Sequence, residues 1–290
     1  MVFPLIAYFD AGANYPSPSP LSQPLLHTVG CYVARYNHWQ MFRKEWRREL
    51  DKKRVSFFHM KDFEYALLAV KRGERDKISR KNPFKHLNEE EFVPLLTRVH
   101  GVINRKTPSG KYRMAMFASS VVKADFDQTQ SPELQDDPEC KSYYILNVAN
   151  VMKMIALWYS QQAIYDPIHY IFAGGDGEGG NIEKWFRFCW NSPQDRGYYR
   201  LTKEFTRTGY DVDEMAAEPA IQAADIAAYE FNKVAQEVAQ RGNVDIPLAK
   251  LRKSLPSLGR APHYSLTLTK ENLPATFAQI SLRRKSTGMM

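Results

Sequence analysis

The chain has 290 residues, 44% of them hydrophobic, enough to bury one large core or two small ones, and 40 basic against 32 acidic residues leave a formal charge of +8. That charge is compatible with a polyanionic partner without requiring one. No apolar run is long enough to span a bilayer, the first nine residues lack the basic region of a secretion signal, and Cys31, Cys140 and Cys189 form no C-x-x-C pair, which argues against a disulfide framework or a cysteine zinc site. A cytosolic protein with reduced thiols is the expectation.

In chain order, Leu5 to Phe9 reads as a buried strand that delivers Asp10 at its end. Residues 13–24 (ANYPSPSPLSQP) are too rich in proline and serine for a regular element and are expected to form a long loop. Thr28 to Tyr36 returns as the second strand of a hairpin. Trp39 to Leu50 is predicted helical. Its basic run, Arg43 to Arg54, makes Arg43 and Arg47 candidate contacts for a phosphate backbone, with Trp39 and Trp46 available to stack on bases; the competing reading packs both indoles on the core, and for this segment that reading is preferred. The segment 57–63 (FFHMKDF) brings His59, Lys61 and Asp62 to the end of an apolar run, where His59 suits proton transfer and Lys61 charge neutralisation. Residues 63–70 read as a helix and 73–86 as an exposed connection. Asn88 with Glu91 has the spacing of a helix capping box.

Residues 112–123 are expected to be a long strand, 125–139 an acidic loop, and 141–160 a helix with one apolar face. A strand at Ile168 to Phe172 is followed by the glycine loop 174–180 (GGDGEGG) and a helix at 182–190. The loop satisfies G-x-G-x-x-G, the dinucleotide-binding pattern, but Asp176 and Glu178 put negative charge where a pyrophosphate would approach. An oxidoreductase is therefore ranked low. Residues 201–206 form a possible further strand.

The chain is organised around 219–229 (PAIQAADIAAY). Pro219 suits a first helical turn, and Gly242 a stop. Alanines 220, 223, 224, 227 and 228 allow close packing. Gln222, Asp225 and Tyr229 share a face at spacings of three and four. An acid held in so apolar a setting needs a partner or a metal. Beyond 242 the chain reads as a basic, irregular extension, giving a domain at 1–242 and an extension at 243–290. The order of elements argues for an α/β fold with a mixed sheet.

Three acids thus fall at the ends of core elements: Asp10, Asp176 (or Glu178) and Asp225. Carboxylates converging from strand ends and a helix can hold Mg²⁺ or Mn²⁺ for phosphodiester cleavage.

Three segments, YFDAG (8–12), FFHMKDF (57–63) and IQAADIAAYE (221–230), together resemble the domain of unknown function family numbered 3800. The resemblance runs from about residue 5 to residue 240 and implies a ribonuclease-H-like fold, a mixed β-sheet flanked by helices on both faces. It implies metal ligation by Asp10, Asp225 and Asp176, less so Glu178, and it matches His59 and Gln222 to family positions. The expected activity is that of a metal-dependent nuclease on DNA or RNA, with Arg43, Arg47, Lys61 and Gln222 as nucleic-acid contacts and no membrane partner. Ala11 departs from the family, which carries Glu there. If that Glu is a ligand, either Glu178, Glu218 or Glu230 compensates for it, or the chain is a catalytically degenerate module binding nucleic acid or a protein partner.

Overall fold

A computed structural model describes residues 5–13, 25–130, 137–174, 179–203, 206–207, 217–241 and 263–286. The first strand, β1 (Leu5–Ala13), alternates strictly. Leu5, Ala7 and Phe9 enter one hydrophobic cluster, and Ile6 and Tyr8 enter another on the opposite side of the sheet. It pairs antiparallel with β2 (Leu26–Arg35), and β2 pairs antiparallel with β3 (Met114–Val122). The strand β4 (Ile168–Phe172) lies parallel to β1, and β5 (Thr206–Arg207) parallel to β4. At the other edge β6 (His263–Leu268) lies parallel to β3. The described sheet is therefore mixed and six-stranded, in the order β5-β4-β1-β2-β3-β6, and the fold is α/β.

On one face lie α1 (Tyr36–Asp51), α2 (Met60–Lys71), α3 (Glu89–Ile103) and α8 (Pro219–Arg241). On the other lie α5 (Tyr143–Gln161), α6 (Gly179–Asn191) and α7 (Pro193–Tyr199). The expected capping box at the start of α3 forms, with Glu91 Oε2 accepting from the Asn88 N–H at 2.9 Å. No helix among the described residues is long and apolar enough to cross a membrane.

Alanines 220, 223, 224, 227 and 228 of α8 are all buried, and their smallness lets the helix lie directly on β1, β2 and β3. The approach is closest at Gly30, opposite Asp10 in the neighbouring strand. A Cβ on Gly30 would stand 2.2 Å from the Ala228 backbone nitrogen. Only a residue without a side chain fits under the helix there.

Four expectations change. The acidic stretch after Lys123 is not all loop, because α4 (Lys123–Thr129) continues directly from β3. The strand expected at 201–206 reduces to a bridge from Leu201 to Ile168 and the short β5. The connection at 73–86 is not wholly exposed, since Ile78 and Phe84 are buried in the core. The basic extension is not irregular throughout: residues 263–286 supply β6 and α9 (Leu273–Ser286). Its arginines are not a solvated tail either. Arg284 is 1% exposed, with Nε donating to Asp137 at 2.8 Å and Nη1 bonding Asp195. Those acids lie far away in sequence, so the pairing has no local signal. The expected loop at 13–24 begins as strand at Ala13, and residues 14–24 and Gly242 lie outside the described residues.

Candidate active site at the end of strand one

Asp10 follows Tyr8 by two residues, so it stands on the α8 face of the sheet. Its Oδ1 accepts from the Ala11 N–H at 2.8 Å. Ala11 takes the opposite face and packs among the residues of α5 and α6. A glutamate at position 11 would leave the strand away from Asp10, so the alanine removes no ligand from the Asp10 face.

Asp225 projects from α8 and is 8% exposed. Its Oδ2 accepts from the backbone N–H of Met60 at 2.7 Å, filling one of the donors left open at the N-terminus of α2. His59 caps that helix start. Its Nδ1 lies 2.9 Å from Asp62 Oδ2, and its Nε2 lies 3.8 Å from Asp225 Oδ1. Burial by itself would lower the imidazole pKa, but the Asp62 hydrogen bond and the charges of Asp225, Asp62 and Asp10 outweigh it, and the pKa rises to about 9. Asp225 is pushed up by burial, against the opposing pull of His59 and Met60 N–H. Three carboxylates from β1, α2 and α8 therefore bear on one imidazole, whose side chain is 30% exposed. Asp62 was not among the site residues expected from sequence; its position three residues after His59, one helical turn away, was the available signal.

Behind this group, Gln222 Oε1 accepts from Trp46 Nε1 and from the Phe58 N–H, both at 2.8 Å. Gln222 is 1% exposed, so it is not placed to touch nucleic acid; it fixes the segment that presents His59. Trp39 and Trp46 are fully buried and unavailable for stacking on bases. Arg43 is also engaged: it chelates Glu218 through Nε and Nη2, at 3.0 and 2.8 Å, and Nη2 bonds the Tyr8 hydroxyl. Glu218 is thereby committed to Arg43, and Glu230 is 1% exposed. Arg47 donates to the Ala217 carbonyl at 2.7 Å. Both arginines anchor the start of α8 against α1. Lys61 is exposed on the first turn of α2, next to the His59–Asp62 pair.

Asp176 and Glu178 lie outside the described residues. The strand before them ends beside Asp10, with the Ala173 N–H donating to the Phe9 carbonyl at 2.9 Å.

Mg²⁺ is commonly held by one or two carboxylates, with water and substrate phosphate completing its shell. Asp10 and Asp225 fit that pattern in donor type. Among the described residues no three His, Cys, Asp or Glu side chains are grouped to hold a metal by themselves, so such an ion would take its remaining ligands from water and substrate.

No family model matches the chain, and no curated protein or solved structure matches it either.

Proposed function

We propose that this protein is a divalent-metal-dependent nuclease with a ribonuclease-H-like arrangement, as the resemblance to the domain of unknown function family 3800 implies. The observation that carries the reading is that Asp225 Oδ1 lies 3.8 Å from Nε2 of the partly open His59, while Asp10, on the same face of the sheet, is near enough to act on that histidine electrostatically. Mg²⁺ or Mn²⁺ held by Asp10 and Asp225, with Asp176 or Glu178 as a further ligand, would supply an activated water and charge stabilisation for a phosphodiester. His59 holds a proton at Nε2 while Asp62 fixes Nδ1, so the imidazolium can protonate the leaving oxygen as the P–O bond breaks. Lys61, exposed on the first turn of α2, would meet substrate phosphate.

The test is cleavage of single- and double-stranded DNA and RNA with Mg²⁺ or Mn²⁺ by wild type, Asp10→Asn and Asp225→Asn. Metal-dependent cleavage lost in both variants supports the reading. Full cleavage by both variants would sink it. Salt-sensitive binding without metal-dependent cleavage would instead favour the degenerate module.

A further inference from the structure

A cavity of about 310 Å³ opens where α5, α7 and α9 meet, and the Asp225 site contributes no residue to it. One wall is the buried charge cluster that fastens α9. Glu139 there is engaged through one oxygen: its Oε2 accepts from the Tyr199 hydroxyl at 3.0 Å and pairs with Arg283 and, at 3.4 Å, Arg284. Two donors on the facing wall are less well served. Lys153 donates to the neutral amide oxygen of Gln279 at 3.0 Å, and no carboxylate among the described residues lies within ion-pair distance of it. Asn150, one helical turn earlier on the same face of α5, is 7% exposed, and its Nδ2 makes no hydrogen bond. Turning the amide about its last torsion exchanges nitrogen and oxygen in place. A buried amide donor without an acceptor and a half-buried ammonium that Glu139 reaches only through its longer-range charge both favour an anionic oxygen. Burial also pushes the Lys153 ammonium pKa down, a cost that an anion beside it would offset.

We propose that this cavity binds a small molecule bearing an oxyanion head, a carboxylate or a phosphate, held by Lys153 Nζ and the Asn150 amide. The volume lies at the small end of ligand pockets, so the occupant is fragment-sized rather than polymeric. Binding to the folded chain alone is read as its stabilisation.

The experiment titrates sodium phosphate and sodium acetate separately into the full chain, at ionic strength matched with sodium chloride, and follows thermal unfolding and heat of binding. One of the two anions is expected to give a saturable rise in Tm that chloride does not. Lys153→Gln, at the cavity rim, is expected to weaken it at least tenfold. Asn150→Asp, which keeps the shape and adds a like charge, is expected to abolish it, and circular dichroism checks that each variant is folded. A response to phosphate or to acetate that both variants lose supports the site and assigns its head group. No saturable response beyond that of chloride, or an equal response in wild type and Lys153→Gln, overturns it.

Discussion

Two clusters in this molecule each gather three carboxylates, and they are neutralised differently. At the C-terminal helix, Asp137, Glu139 and Asp195 surround Arg283 and Arg284, whose guanidinium forks bond them from several directions. Beside β1, Asp62 and Asp225 flank a single histidine that Asp10 also influences electrostatically, and the nearer contact to Asp225 is a backbone N–H. The first cluster is a closed structural clasp: its arginines are permanently charged and its acids largely spent on them. The second is partly open to solvent, and the cation that Asp62 and Asp225 approach is a titratable imidazole rather than a guanidinium. Burial of acids alone therefore does not mark a site. What separates the two is the kind of cation that faces the acids and how open the group is to solvent.

The comparison can be broken first at the seat of α8. Gly30→Ala places a Cβ into backbone, where no rotamer change can relieve it, so the cost is expected to exceed the ~1–3 kcal/mol usual for an overpacked side chain. The Asp225 group is expected to be lost with α8, and soluble yield with chemical denaturation reports it. Next, Arg284→Met removes a cation from among three acids. A loss of about 3–5 kcal/mol is expected in urea unfolding, because the carboxylates stay buried. Asp225→Asn should do the opposite. In chelator, stability is expected to stay within about 1 kcal/mol of wild type or rise, since a buried charge is removed and the amide oxygen can still accept from Met60. Mn²⁺ binding, followed by calorimetry with a non-cleavable oligonucleotide, is expected to disappear. A large loss of stability in Asp225→Asn would erase the distinction between clasp and site.

The finest test compares histidines. His27 is pushed down to about 4 by burial, packed edge-on and tilted against Tyr144 and Tyr143, whereas His59 rises to about 9. The signs differ accordingly. His27 binds its proton more readily in the unfolded chain, so the stability it allows is lost as pH falls from about 6.5 toward 4. His59 binds its proton more readily in the folded chain. Its contribution is complete below about 6.5 and is lost as pH rises through 9. Ring-proton NMR titration in chelator is expected to show His27 neutral at pH 6 and His59 charged at pH 8. His59 titrating near 6.5 would mean that the three carboxylates do not act on it.

Much of the α8 half was legible because its signals are local. Pro219 opens the helix, the alanines give a flat buried face, and Asp225 stands out among them by type alone. The apolar run Leu5 to Phe9 put Asp10 on the first strand, though that strand continues past it to Ala13, and the order of elements gave an α/β fold with a mixed sheet. Arg43, Arg47 and Gln222 have partners that sequence reading did not foresee, for a common reason. Their types suit nucleic acid, but their partners Glu218, Ala217, Trp46 and Phe58 lie well over a hundred residues away in the chain.

By itself, then, the sequence determined the periodic elements, the tight alanine face and the acids Asp10 and Asp225 upon them, since these follow from spacing along one stretch of backbone. Tertiary structure alone decided which charges are spent. Whether an arginine is a clasp or a ligand contact, and which kind of cation faces an acid, depends on distances between segments that chain order does not encode. The C-terminal helix shows this most plainly: its arginines read as a loose basic tail until folding sets them among Asp137, Glu139 and Asp195.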